Sequence, residues 1–315
     1  MPSSSRVAAP HAPVLGRSQR LLGRFHVTGV FWYQFPHWCV SHLPLWTHRG
    51  GILVFSAFFF LVLGRIRRSV AANLEPVLGP AAGVARLRRS HATMTEFARC
   101  LSERYARLAG TPRGPSRVDG LEHWLQIRNA DRGAVLVTAH IGPWESATLE
   151  GVSGVSRRIH VVREAEIDPR AQAFVRGILS QAGDNYVAHF VGEDPRLVLE
   201  LVEALRAGEI VALQGDRPRA SGRNVTVTMF GQPMPLPVGP AILARAADVP
   251  LVPIFSFLDD DFGLRAVVRP PIAVRRTDDR DSDVLAAITQ IGAEIEWAIR
   301  QRPHQWFCFR RLWDA

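Results

Sequence analysis

The sequence predicts an α/β protein in which a central sheet is flanked by helices, preceded by a helical segment that meets a membrane. Three observations carry this. Short apolar runs alternate with helical patterns over roughly residues 111–315, as layered α/β domains require. An apolar run at 52–63, interrupted only by Ser56, is followed by Arg65, Arg67 and Arg68. Hydrophobic residues make up 47% of the 315, enough for a substantial core and against wholesale disorder.

The elements follow in order. Residues 1–24 are rich in Pro, Ser and Arg and lack a compact apolar run with a cleavage site, so a flexible N-terminus is expected rather than a signal peptide. Residues 25–68 are expected to form a helical anchor. Phe31, Trp32, Tyr33, Trp38 and Trp46 supply the aromatics favoured at a bilayer interface. The apolar run rises only about 18 Å as a helix, short of the roughly 30 Å hydrocarbon core. An interfacial or embedded anchor is therefore expected rather than a span, with a helical hairpin buried on the domain as the alternative. The remaining 69–315 form the main domain. Its first part is helical: Met94, Phe97, Cys100, Leu101, Tyr105 and Leu108 recur at helical spacing over 93–108. Two prolines and a glycine make 111–116 a loop.

Strands are predicted at 134–139, 159–162, 186–191, 210–213, 225–230, 249–257 and 264–268. Helices are predicted at 195–207, ended by Gly208, at 239–247, and at 283–302, stopped by Pro303.

The formal charge is +9, and since the chain contains no lysine all 38 basic residues are arginine. Such a charge favours anionic partners: a phospholipid surface, a phosphate-bearing lipid, an acidic carrier protein or nucleic acid. The arginines are dispersed and no nucleic-acid motif accompanies them, so nucleic-acid binding is not expected. Three scattered cysteines, none in a CxxC pair, support neither a disulfide framework nor a zinc finger, and suit a reducing compartment.

The sharpest local feature is 138–145, Thr-Ala-His-Ile-Gly-Pro-Trp-Glu. A buried strand ends at Ala139, and His140 stands at its C-terminal tip, where open α/β sheets build their sites. Gly142 turns the chain and Pro143 suits a first helical turn. On one helix Glu145 and His140 would diverge, but across a strand–turn–helix junction they can meet. A carboxylate on one imidazole nitrogen fixes the tautomer and leaves the other to take a proton. A strand-end histidine that merely caps a loop is the structural alternative. Metal ligation by the pair would need a third ligand that no nearby grouping offers. No G-x-S-x-G elbow presents a serine nucleophile.

This block, TAHIGPWESA, resembles the H-x4-D/E block of the bacterial lipid A biosynthesis (late, or secondary) acyltransferases, within the lysophospholipid and glycerol-phosphate acyltransferase superfamily. Further blocks resemble the family in the same order over roughly 50–313: RRSVAANLEPVLG at 67–79, IHVVR at 159–163, EIVALQGD at 209–216, the Phe230-Gly231 turn and following helix, and the closing Gln305-Trp306 and Arg310-Arg311. Three departures are Ala139 before the histidine, Pro143 at a usually polar position, and Gly215-Asp216-Arg217 in place of the more usual Asp-Gln or Asp-His pairing.

The resemblance implies a glycerol-phosphate-acyltransferase-like fold with a mixed central sheet, and an O-acyltransferase. An acyl thioester of acyl carrier protein or coenzyme A would be co-substrate, with no bound cofactor or metal. The acceptor would be a hydroxyl of a lipid A precursor or related glycolipid; inositol mannosides, aryl polyene lipids and lysophospholipids are alternatives. His140 would be general base and Glu145 its orienting partner. Arg163, the backbone at Gly142 and Trp144, Asp216, Arg217 and Arg310 would bind substrate or stabilise the oxyanion. The protein would sit at the bacterial cytoplasmic membrane with its catalytic domain facing the cytoplasm. A thioester hydrolase using the same pair, and a non-catalytic lipid-binding protein, are the competing readings.

Overall fold

The computed structural model describes residues 28–313, apart from 147–156, 181–182 and 219–221. The expected flexible segment 1–24 lies outside the described residues. Among the described residues four helices come first: α1 (Phe31–His42), α2 (Leu45–Val62), α3 (Gly64–Leu78) and α4 (Gly83–Leu108). There follow β1 (Ser116–Asp119), α5 (Leu121–Arg128), β2 (Ala134–Thr138), β3 (Ile159–Glu164), α6 (Pro169–Leu179), β4 (Tyr186–Val191), α7 (Leu197–Arg206) and β5 (Ile210–Gln214). The chain closes with β6 (Asn224–Met229), β7 (Gln232–Pro237), α8 (Gly239–Ala247), β8 (Leu251–Leu258), β9 (Leu264–Val268) and α9 (Arg280–Gln301).

Seven strands form one mixed sheet in the order β1-β9-β8-β2-β5-β3-β4, all neighbours parallel except β8 and β9; β6 and β7 pair as a separate hairpin. This is the mixed α/β architecture expected. Strand β2 lies at the centre, between β8 and β5, and is covered on both faces. Alternation sorts its side chains. Val135 and Val137 join the core beneath α7, α8, α9 and the hairpin, whereas Ala134 and Leu136 face Ile127 of α5 and Val175 and Leu179 of α6. A strand buried on both faces reads as a continuous apolar run, which is why 134–139 was so legible.

Strands β1 and β7 and helices α5 and α6 lie outside the predicted elements. All four residues of β1 are exposed, so no alternating signal marks it. Helix α6 is capped by Asp168, whose carboxylate accepts from the Arg170 amide at 2.9 Å, with Pro169 opening the first turn. Helix α4 begins ten residues before the predicted 93, and α3 runs across the expected boundary at 68 to Leu78.

A third apolar cluster joins Ile52 of α2, Ala98 and Cys100 of α4, Leu258 at the end of β8, and Phe307 of the C-terminal tail. The N-terminal helices thereby cover the carboxyl edge of the sheet, where His140 emerges. Buried polar groups lock the tail beneath them. Asn73 of α3, 2% exposed, donates to the carbonyls of Cys308 (3.1 Å) and Arg310 (2.7 Å) and accepts from the Leu312 amide (3.1 Å). Gln305 bridges the Leu258 backbone and Glu96 of α4. Asn73→Leu strands three backbone groups, each costing about 1–3 kcal/mol if left unsatisfied in the interior. The expected result is a clear loss of denaturant midpoint, with faster proteolysis of the last ten residues.

Candidate functional site

Two parallel neighbours build the site. In the register of β2 and β5, Thr138 stands opposite Gln214. His140 and Asp216 each lie two residues beyond that pair, and the ladder extends past it through the Gly215 amide, which donates to the Thr138 carbonyl at 2.8 Å. The two side chains therefore leave the sheet together. His140 Nδ1 lies 2.7 Å from Asp216 Oδ1. The second carboxylate oxygen accepts from the indole Nε1–H of Trp306 at 3.1 Å.

The turn after His140 is clamped by the tail. Ile141 bridges Trp306, the Gly142 amide donates to the Gln305 carbonyl (2.9 Å), and the Phe307 amide donates to the His140 carbonyl (2.8 Å). Gly142 has φ +56°, and a Cβ there would lie 2.2 Å from the Ser256 carbonyl oxygen, so only glycine fits. The Trp144 ring flanks the imidazole, centroids 5.2 Å apart.

Three sequence expectations change here. Glu145 is not the partner of His140; Asp216, expected to bind substrate, is. Glu145 turns away toward α4 and β3 and is ion-paired with Arg104 and Arg163. The reason is geometric: Gly142 and the tail fix the turn, and the register already brings Asp216 to Nδ1. Arg163, expected at the oxyanion or a phosphate, is held as the counter-ion of Glu145. The Gly142 amide, expected at the oxyanion, is spent on Gln305. Of the other predicted residues, Arg217 lines the His140 cavity and donates to the Phe307 carbonyl, and Arg310 lines it too, donating to the Pro218 carbonyl at 2.6 Å. Arg104, Trp306 and Gln305 complete the site from distant segments.

Electrostatics favour a neutral imidazole. The His140 side chain is 15% exposed; burial lowers its pKa below 6.5, with Asp216 opposing. Burial would raise the Asp216 carboxyl, but His140 and Arg217 outweigh it and hold the acid well below the usual range. With Asp216 ionised, Nδ1–H donates to it and Nε2 is the basic nitrogen. The base form then predominates from below pH 6.5 upward. A kcat/KM profile should rise on an acidic limb centred below 6.5 and level off at neutral pH; a limb at 7 or above would contradict this.

Two contiguous cavities meet at the site. One, of about 480 Å3, is lined by His140, Gln214, Arg217, Arg163 and Arg310. The other, of about 450 Å3, runs from Pro143, Trp144 and Phe307 between α2 and α4, past Phe55, Phe59 and Met94. Trp144, Glu145, Phe97 and Phe307 belong to both walls. Among the described residues, no group of three His, Cys, Asp or Glu side chains converges as a metal would need.

A strand-end histidine with a buried acid behind it thus stands where a cavity lined by charged groups meets an apolar one. Residues 23–315 match the family described as bacterial lipid A biosynthesis acyltransferase, and the chain belongs to that family. Phosphatidylinositol mannoside acyltransferase of Mycobacterium tuberculosis (strain CDC 1551 / Oshkosh) is 29% identical over 199 residues, 63% of this chain and 60% of that protein. Its counterpart from Mycolicibacterium smegmatis is 27% identical over 197 residues, 62% and 61% of the two chains. The chain thus spans about three-fifths of the length of these relatives. The solved 1-acyl-sn-glycerophosphate (LPA) acyltransferase PlsC from Thermotoga maritima aligns with a TM-score of 0.37 at 13% identity, over 80% of this chain and 97% of that one.

Proposed function

We propose that the protein transfers a fatty acyl group from a thioester of acyl carrier protein or coenzyme A to a hydroxyl of a phosphate-bearing glycolipid. The observation that carries this is the His140–Asp216 pair at the junction of a polar cavity with an apolar one. The acyl chain occupies the apolar cavity between α2 and α4, and the acceptor headgroup the polar one. His140 Nε2 removes the hydroxyl proton while Asp216 stabilises the imidazolium. The alkoxide attacks the thioester carbonyl, and collapse of the tetrahedral intermediate expels a thiolate that regains the proton from His140. Arg217 is the cation beside the developing oxyanion. Direct transfer, without an acyl-enzyme, suits the surroundings: Cys308 is 1% exposed and its thiol is pushed up to about 11 by burial.

The surface favours operation on a bilayer. Trp46, Val54, Leu61 and Val62 are at least 60% exposed, an apolar face that water disfavours. Among the described residues no single helix is long and apolar enough to cross a membrane; Trp46–Val62 and Gly64–Leu78 form a pair bent by 96°. The protein lies on the cytoplasmic face with this surface immersed and Arg65 and Arg68 among anionic headgroups.

The relatives' name makes phosphatidylinositol mannosides an acceptor to test beside lipid A precursors. Lipid mass spectrometry of cells carrying wild type, His140→Ala or no protein decides. The expected result is one lipid that gains an acyl mass with wild type alone. Acylation that survives His140→Ala, or thioester hydrolysis indifferent to acceptor, would overturn the reading.

A further inference from the structure

A third cavity, of about 500 Å3, lies away from His140 among α1, α2 and α4. That is within the roughly 300–1,000 Å3 of ordinary ligand pockets. Its walls are apolar. Trp32, Phe55 and Leu101 are shared with the cavity that ends at Trp144, so an aromatic partition divides the two. Trp32 packs edge-on to Phe55, centroids 6.4 Å apart, and stacks on Phe58 at 6.2 Å. The rim is apolar and open: Phe35 is 41% exposed, Phe58 47% and Val54 72%. Along α2, Val54 and Phe58 stand at helical spacing from Leu61 and Val62, which are 73% and 60% exposed, so the rim continues into that face of the helix.

One polar group breaks the apolar lining unsatisfied. His48, in the first turn of α2, is 7% exposed and lines the cavity. Its Nε2 is bonded to the Leu43 carbonyl at 3.0 Å, a contact in which the ring nitrogen must donate. With Nε2 as the donor, Nδ1 is the ring's acceptor position. Among the described residues it has no hydrogen-bond partner. A buried acceptor in apolar surroundings is costly unless a donor reaches it.

We infer that this cavity binds one hydrocarbon chain of a bilayer lipid whose hydroxyl donates a hydrogen bond to His48 Nδ1. The apolar rim, continuous with the surface proposed to face the bilayer, selects a lipid tail as occupant. The orphaned acceptor selects an O–H over an ether or ester oxygen, which can only accept. The site rests on the proposed membrane placement but not on acyl transfer, and Trp32 and Phe55 keep its chain apart from the one bound beside His140.

The test is photolabelling of the full chain in phosphatidylcholine nanodiscs. The two probes are a dodecyl alcohol with a chain-end diazirine and its methyl ether. Labelled residues in α1 and α2 are mapped by mass spectrometry. The alcohol should label them about fivefold more than the ether, the scale of one net hydrogen bond. His48→Phe should bring the alcohol down to the ether. Gly51→Phe should lower both: Gly51 lines the cavity, a Cβ there meets nothing within 4 Å, and a helical glycine tolerates replacement. His140→Ala should leave labelling unchanged, so this site and the transfer reaction fail separately. Equal labelling by alcohol and ether in wild type, or labelling indifferent to Gly51→Phe, overturns the inference.

Discussion

Asp216→Asn lowers kcat/KM for acyl transfer by about 10²–10⁴-fold while the melting temperature changes little. The direction follows from the two partners of the carboxylate. Trp306 Nε1–H can only donate, so it needs an oxygen on its side of residue 216. An asparagine must give its carbonyl oxygen to Trp306 and turn its amide N–H toward His140 Nδ1. Nδ1 is then forced to accept, and the imidazole proton moves to Nε2, the nitrogen that has to be vacant to receive a proton. The protein keeps its shape and the proposed base is lost. Trp306→Phe removes the constraint. In the double variant the amide can rotate, present its oxygen to Nδ1 and recover part of the activity. Steady-state kinetics on the two single variants and the double variant measure this directly. Wild-type kcat/KM in Asp216→Asn would mean that His140 takes its orientation from elsewhere.

The ends of the strands were legible and their pairing was not. The run 134–139 announces a strand covered on both faces, and it ends where His140 begins. The run before Asp216 announces another. Nothing across the 76-position separation says that β2 and β5 are hydrogen-bonded neighbours in a register that sets His140 beside Asp216. Glu145 is near His140 in sequence, but the positive φ of Gly142 and the Gln305 contact decide where the following turn points. Arg104, Trp306 and Gln305 reach the site from α4 and the tail, through contacts that no local pattern encodes. The missed elements have plainer causes. Strand β1 is exposed along its whole length, β7 is interrupted by prolines that strands usually exclude, α5 is only eight residues long, and α6 is marked only by its Asp168-Pro169 start.

Glu145→Gln destabilises the protein by about 3–5 kcal/mol, the usual cost of leaving a buried ion pair half-removed. The carboxylate is 9% exposed, and Arg104 and Arg163 beside it are 15% and 16% exposed. An amide leaves two guanidinium groups in the interior with Glu166, 4.0 Å from Arg163, as the residual anion among the described residues. The melting temperature should fall by on the order of 10 °C. The pH dependence has a definite sign. Burial raises the Glu145 pKa, but Arg104 and Arg163 outweigh it and hold the folded-state value below the ordinary 4.5. A depressed carboxylate contributes stability that is fully present above its unfolded-state pKa and lost as pH falls through the folded one. Wild type should therefore lose stability below pH 4.5 more steeply than Glu145→Gln, and their unfolding midpoints should converge in acid. Because Glu145 does not touch His140, the acidic limb of kcat/KM should stay in place in whatever fraction of the variant remains folded. Replacing Glu145 and Arg163 together by leucine and methionine, which removes one unit of each charge, should cost less than Glu145→Gln alone. A Glu145→Gln protein with unchanged melting temperature and a displaced acidic limb would instead make Glu145 the partner of the base. The same pair of measurements on Asp216→Asn should give the opposite pattern, because one carboxylate orients the imidazole and the other fastens α4 to β3 behind it.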